Sequence, residues 1–291
     1  MRNNVVFVFA FLSVVGLATP APAIELEKLY SERPLVNPSQ SAETLVEAAF
    51  NNLFGFDTEV RVETVTTRAG AEPERAAFCL HRKRFQDTTR TLVTSLAPER
   101  VKGMRVLEIA ADRGARRSLV WVPSIGGEAI TTRYRLTDPF LGTFSDREAS
   151  TVRADLVGLR TYEILSRSHT DVEGKQAHLI TLRPLASAGY ERVELVIASD
   201  APVILEYRYY ERGDTAPARV ARAPRSEMYD VKGRWLPGKM FYRDRVLETE
   251  TEVRLTHTLI DSTTTPDALF MDSSFYREPI AGLGSEGNPG Q

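Results

Sequence analysis

Residues 191–197 read Glu-Arg-Val-Glu-Leu-Val-Ile, and residues 203–209 read Val-Ile-Leu-Glu-Tyr-Arg-Tyr. Both stretches alternate apolar with charged side chains, and this period of two is that of a β-strand. Val193 and Leu195 therefore share one face of a predicted sheet, and Glu194 lies on the other. A sheet with one apolar face needs an apolar cover on that face.

Candidate strands follow one another from Glu59 to Asp261, and residues 234–243 form one of them. Turn signals such as Glu173-Gly174-Lys175 separate them. Most gaps are too short for the crossover helix that parallel neighbours need, so the pattern predicts an antiparallel meander. The predicted fold class is mainly β (α+β).

The N-terminus has the pattern of a secretory signal peptide. Arg2 supplies a positive n-region, residues 5–17 form an apolar h-region, and Ala21-Pro22-Ala23 is a small-x-small cleavage site. The alternative, a retained membrane anchor, would need about 20 apolar residues. We therefore expect cleavage after Ala23 and export, to the periplasm if the source is a Gram-negative bacterium.

An amphipathic helix is predicted over residues 39–54. Asn37 and Pro38 resemble an N-cap followed by a proline at the first helical position. Val46 and Phe50 fall on one apolar stripe of this helix. The chain then divides into four expected parts, which are a signal peptide (1–23), an N-terminal arm (24–38), a single β domain (39–278) and a flexible Gly-rich tail (279–291).

Charge and motif content argue against several functions. The 37 basic and 39 acidic residues nearly balance, so no nucleic-acid footprint is present. The four histidines show no His-x-His or His-x-x-x-His spacing, so no metal site is predicted. No nucleophile elbow, Walker loop or dinucleotide fingerprint occurs, so neither an enzyme nor a cofactor is predicted. An envelope hydrolase that uses Asp138 or Asp146 is the weaker alternative.

Cys79 is the only cysteine, so an intrachain disulfide is impossible. The preferred interpretation is a small buried hydrophobic residue. The alternative is a nucleophile or an intermolecular bridge, but no histidine partner stands at a recognisable spacing.

Residues 137–158 interrupt the strand pattern and carry the apolar side chains Phe140, Leu141 and Phe144. A long irregular segment in a compact domain is a functional lid or a disordered linker. The apolar side chains favour a lid or plug. Aromatic residues elsewhere in the strands, such as Trp121, either pack in an ordinary core or line a hydrophobic concavity.

The order of several motifs resembles the LolA-like outer-membrane lipoprotein-sorting protein family, in its larger, divergent branch. The resemblance runs from about His81 to Phe275. The motifs that carry it are Arg-Ser-Leu-Val-Trp-Val-Pro (117–123), Phe-Leu-Gly-Thr (140–143), Gly-Arg-Trp-Leu-Pro (233–237) and Pro-Asp-Ala-Leu-Phe (266–270).

The resemblance implies an incomplete antiparallel β-barrel, or strongly curved sheet, that covering helices close around an apolar cavity, as in LolA and LolB. It also implies a non-enzymatic, monomeric periplasmic carrier of lipid or of lipoprotein acyl chains. An inner-membrane exporter of the RND type is an implied partner. A sensory module that recognises lipid or lipoprotein and reports to a membrane partner is the alternative function.

Candidate residues for the cavity and its lid are apolar side chains on the predicted strands and in the irregular segment. They are Leu119, Trp121, Phe140, Leu141, Phe144, Leu182, Val193, Leu195, Tyr207 and Tyr209.

Overall fold

A computed structural model describes residues 40–54, 57–86, 88–111, 116–123, 130–132, 139–141, 144–145, 162–184, 190–260 and 265–277. The predicted signal peptide, N-terminal arm and C-terminal tail lie outside these ranges, as does most of the predicted lid.

One helix and a long series of strands make up the described structure. The helix is α1 (Ala42–Phe54). The strands are β1 (Thr58–Arg68), β2 (Glu74–Arg84), β3 (Thr88–Ala97), β4 (Arg105–Ala111), β5 (Arg116–Trp121), β6 (Ile130–Thr132), β7 (Pro139–Leu141), β8 (Phe144–Ser145), β9 (Tyr162–Val172), β10 (Lys175–Pro184), β11 (Arg192–Ala198), β12 (Ile204–Tyr210), β13 (Arg219–Arg222), β14 (Met228–Val231), β15 (Arg234–Pro237), β16 (Lys239–Asp244) and β17 (Thr249–Ile260).

Thirteen of these strands form one antiparallel sheet in the order β6-β5-β4-β3-β2-β1-β17-β16-β13-β12-β11-β10-β9. Most neighbours are consecutive in sequence, because short turns can join only antiparallel strands. The sheet does not close on itself within the described residues, since β6 and β9 each pair on one side only. An incomplete, curved antiparallel barrel was predicted, and the structure confirms this fold class.

The strand predictions were wrong in detail at several positions. Residues 234–243 are two strands, broken at Gly238, where an added Cβ would lie 3.2 Å from the carbonyl oxygen of Glu227. This close approach allows β15 to leave the main sheet and pair with β14. The short strands β6, β7, β8 and β13 were not predicted, because two to four residues are too few to show a period.

Helix α1 begins at Ala42, three residues later than predicted. Its cap is Ser41, whose hydroxyl accepts a hydrogen bond from the Thr44 N–H at 3.2 Å. The predicted cap at Asn37 and Pro38 lies outside the described residues. The end of the helix is joined to β15, because Asn52 hydrogen-bonds both backbone groups of Trp235.

Directly opposite residues in neighbouring strands lie on the same side of a sheet, so the register defines two faces. We call the side on which α1 packs the helix face, and the other side the opposite face. On the helix face, Leu195 lies opposite Tyr207, Tyr207 opposite Ala221, and Ala221 opposite Tyr242. On the opposite face, Leu92 lies beside Leu107 across β3 and β4.

Residues 265–277, called here the C-terminal segment, cover part of the opposite face. Leu269, Phe270 and Phe275 are fully buried against apolar side chains of β3, β4 and β5. The two long covers of the sheet therefore come from the two ends of the domain and lie on different faces.

Basic side chains of the opposite face hold the C-terminal segment at successive points. Lys83 pairs with Asp267 at 2.5 Å, and Arg90 donates to the Phe270 carbonyl at 2.8 Å. Arg105 donates to the Phe275 carbonyl at 2.6 Å. Lys83, in the basic run of residues 81–84, thus anchors a covering segment.

Candidate ligand-binding face

The helix face is filled by protein side chains at strands β10 to β12. Four of the predicted cavity residues lie here, fully buried, in one cluster with the apolar side of α1. They are Leu182, Val193, Leu195 and Tyr209, and the helix residues that pack in the same cluster are Leu45, Val46, Ala49 and Phe50. These side chains are core in this conformation, and a ligand reaches them only if α1 moves.

Tyr207 links this helix-covered cluster to the middle of the sheet. Its ring stacks on that of Tyr209, with 6.3 Å between centroids, and it also packs in the central cluster of Val60, Val62, Ala221, Tyr242 and Val253. Burial raises the pKa values of Tyr207 and Tyr242 above the usual tyrosine value. Both rings therefore remain neutral and contribute apolar surface.

Beyond the middle, the helix face continues as a line of five apolar side chains across β1 to β5. The register pairs them strand by strand, as Val60–Leu80, Leu80–Val93, Val93–Val106 and Val106–Val120. We call these five residues the apolar row. Since neighbouring strands are about 4.8 Å apart, the row is about 19 Å long.

The apolar row is covered less completely than the region under α1, although its members Val60 and Val93 are buried. α1 contacts β9, β11 and β15, and the C-terminal segment lies on the opposite face. Leu80, Val106 and Val120 are only half-buried, whereas the apolar residues under α1 are fully buried. These residues were not among the predicted cavity residues. β1 has the same alternation as the strand of Val193 and Leu195, but adjacent apolar residues interrupt it in β2 and β3.

Leu119 and Trp121 were predicted to line the same cavity as Val193 and Leu195, and the structure corrects this. Leu119 lies opposite Leu107 on the opposite face and is buried under the C-terminal segment. The Trp121 ring stacks on Tyr276 at 6.2 Å between centroids. The alternation of each strand was right, but it cannot show which of its two faces meets which cover.

The predicted lid residues Phe140, Leu141 and Phe144 fall in a short antiparallel pair, β7 with β8. The packing of their side chains lies outside the described residues. Their role as a lid therefore stays a prediction.

A polar cluster on the opposite face was missed. Cys79 Sγ lies 3.1 Å from His81 Nε2, and His81 Nδ1 lies 3.7 Å from a Glu59 carboxylate oxygen. The expectation that Cys79 has no histidine partner was wrong, because His81 is two residues away and residues i and i+2 of a strand share a face. Burial raises the pKa of the Cys79 thiol to about 12, so the unliganded thiol is protonated and a poor nucleophile.

The fold and the helix face together define the class of protein. It is an open antiparallel β-barrel whose apolar inner face is only partly filled by its helix among the described residues. A family model that is described only as an uncharacterized protein matches residues 87–277. This match covers more than half of the chain, so the chain belongs to the family that the model describes. Its fold is LolA-like, as the following comparisons show. No curated protein matches the sequence with significance.

Three solved structures share the fold at low sequence identity. A DUF1329 family protein from Desulfovibrio piger has 16% identity and a TM-score of 0.67, covering 79% of this chain and 96% of its own. An outer membrane lipoprotein-sorting protein domain from Vibrio parahaemolyticus has 15% identity and a TM-score of 0.68, covering 81% and 100%. A LolA superfamily protein from Nitrosomonas europaea has 14% identity and a TM-score of 0.62, covering 80% and 98%.

The described part of the chain contains no helix that is long and apolar enough to cross a membrane.

Proposed function

We propose that this protein is a non-enzymatic carrier that binds lipid, or the acyl chains of lipoproteins, along the apolar row. The observation that carries the proposal is the contrast within one face of the sheet. α1 fills that face at β10 to β12, while Leu80, Val106 and Val120 stay half-buried. The lipoprotein-sorting description of the Vibrio parahaemolyticus domain supports this function through a shared fold.

An acyl chain that lies along the apolar row removes its methylenes from water. Each buried methylene contributes about 0.8 kcal/mol, and about 1.4 kcal/mol corresponds to a tenfold change in affinity. Binding therefore needs no covalent chemistry. Release follows when a second conformation of the cover binds the chain less tightly. Phe140, Leu141 and Phe144 are the proposed cover, as the lid expected from their apolar character.

The setting of the carrier also forms part of the proposal. The signal peptide would direct export to the periplasm and be cleaved after Ala23. The mature chain would act there as a monomer. The proposed donor or acceptor is a membrane partner such as an RND-type exporter, which the family resemblance implies.

The test compares binding of a fluorescent long-chain fatty acid to wild type and to Val106→Glu. A carboxylate in the apolar row must be desolvated by the bound chain, so we expect at least tenfold weaker binding. Leu165→Glu is the matched control, because Leu165 is 46% exposed on β9, outside the row. It should bind as wild type does.

Two results would overturn the proposal. The first is wild-type protein, purified from its own periplasm, that carries no lipid in native mass spectrometry and does not bind the probe. The second is Val106→Glu protein that binds the probe as tightly as wild type. Transfer of labelled lipid between vesicles distinguishes a carrier from the sensory alternative, which would bind the probe without transferring lipid.

A further inference from the structure

Three potential metal ligands meet on the opposite face of β1 and β2. Glu59 and His81 are direct cross-strand partners, and Cys79 is two residues from His81 on the same face. One donor atom from each residue lies within 4.8 Å of the other two. Cys79 Sγ to His81 Nε2 is the shortest of these approaches, at 3.1 Å. The sheet itself separates the cluster from the apolar row.

The cluster is buried and incompletely hydrogen-bonded. His81 is 2% exposed, and its Nδ1 atom has no hydrogen-bond partner among the described residues. The Glu59 oxygen at 3.7 Å is too far to accept a hydrogen bond from it. Thr94 lies opposite Cys79 in register, is 1% exposed, and its hydroxyl also lacks a partner in the described part of the chain. Buried polar atoms without partners are rare in native proteins, so the Thr94 hydroxyl, on the residue opposite Cys79, needs an explanation such as a bound ion or water. Coordination through Nε2 would leave the His81 Nδ1–H facing the Glu59 side chain, the kind of second partner that metal-bound histidines commonly have.

We propose that Glu59, Cys79 and His81 form a binding site for one transition-metal ion of the Zn²⁺ class. A thiolate, an imidazole nitrogen and a carboxylate oxygen form a donor set that zinc accepts. Calcium and magnesium take oxygen ligands, so the sulfur donor argues against them. The thiolate and the carboxylate together balance the two charges of the ion. Three protein ligands leave a fourth tetrahedral position for the Thr94 hydroxyl or a water molecule.

Small side-chain shifts bring the ligands to coordination distances. Zinc bonds of about 2.3 Å to sulfur and 2.0–2.1 Å to nitrogen place the two donors about 3.6 Å apart. The observed 3.1 Å separation of Cys79 Sγ and His81 Nε2 is within about half an ångström of that value. The Glu59 side chain is 17% exposed and has freely rotating bonds, so it can turn its carboxylate toward the same point.

A nucleophilic role for the same three residues is less well supported. Cys–His–carboxylate sets occur in hydrolases, in which the thiol must be accessible and readily ionised. Cys79 is only 8% exposed, and burial raises the pKa of its thiol to about 12.

The experiment uses untagged mature protein that has been dialysed against a chelator and titrated with Co²⁺. We expect one equivalent of cobalt, a thiolate-to-cobalt charge-transfer band and the intense visible bands of tetrahedral cobalt. Added Zn²⁺ should remove these bands by displacement. The variants Cys79→Ser and His81→Gln should abolish the charge-transfer band or weaken binding at least tenfold.

Controls separate this site from accidental binding. His257→Gln alters an exposed histidine on β17 and should bind cobalt as wild type does. Glu59→Gln is nearly isosteric and should fold even if the cysteine and histidine variants do not; it should weaken binding at least tenfold. Wild type without a charge-transfer band, or Glu59→Gln and His81→Gln proteins with unchanged cobalt affinity, would overturn the proposal. Neither outcome bears on lipid binding at the apolar row.

Discussion

At the scale of single residues, Asn52 is the clearest example of a side chain that fixes the fold. It is buried at the end of α1, where it donates to the Trp235 carbonyl at 2.6 Å and accepts from the Trp235 N–H at 2.9 Å. The Asn52 amide thus makes the two hydrogen bonds that the backbone of Trp235 in β15 would otherwise make to a neighbouring strand. No periodicity in the sequence marks it, because the pairing depends on two elements that are far apart in the chain.

Replacement of Asn52 by alanine should destabilise the protein by about 2–4 kcal/mol, since two buried backbone groups of Trp235 lose their partners. The free energy of unfolding in urea measures this. Asn51→Ala is the matched control, because it makes the same change in helix propensity at the adjacent position. Equal stability of the two variants would mean that the Asn52 amide contributes nothing specific.

At the scale of elements, most long strands could be predicted from the sequence, whereas the segments that cover the sheet could not. Alternation predicts β1, β11 and β12 from their sequences, and the observed burial of β1 follows the period of two. It says nothing of the C-terminal segment, whose short 3₁₀ turn at Asp267–Phe270 has no period. It also cannot tell the two faces apart, which is why Leu119 and Trp121 were grouped with Val193.

Phe270 is the main anchor of the C-terminal segment. Its ring is fully buried and meets Phe85 edge-on at 6.0 Å between centroids. Phe270→Ala should therefore lower the free energy of unfolding by about 3–5 kcal/mol and expose residues 265–277 to limited proteolysis. Met271→Ala is the control, since Met271 is 36% exposed, and it should leave both measurements nearly unchanged. Protease resistance of the Phe270→Ala segment would show that the basic side chains hold it without the ring.

At the scale of the whole molecule, each face of the sheet has its own role. The opposite face is covered from the C-terminal end and carries the Glu59–Cys79–His81 cluster. Among the described residues, the helix face is covered from the N-terminal end, and this cover stops before the apolar row. The proposed ligand would therefore complete a core that the described part of the chain leaves open.

Global stability should decrease in mild acid because of His178. Burial is the largest cause that lowers the pKa of His178 in the folded state, and the nearby Arg167 and His169 lower it further. The unfolded histidine has a pKa of about 6.5, so the unfolded chain binds more protons below that pH. The stabilising contribution is thus present above pH about 6.5 and is lost as the pH falls further.

Urea titrations at pH 7 and pH 5 test this sign. His178→Gln should reduce the loss of stability by up to about 1.4 kcal/mol per pH unit. His257→Gln, at an exposed position, serves as the control and should keep the wild-type slope. A His178→Gln protein with an unaltered slope would assign the acid sensitivity to other groups.

The pairing of β1 with β17 in the middle of the sheet has a consequence for how the protein folds. Thr58 lies opposite Ile260, so the central ladder joins two segments that are separated by almost the whole domain. Local hairpins can form on either side early, but contacts this distant in sequence form slowly. A chain that emerges on the far side of a membrane would expose the free edge of β1 until β17 arrives. Such an edge promotes strand-to-strand aggregation, so a chain exported in this way would need protection until the last strand is delivered.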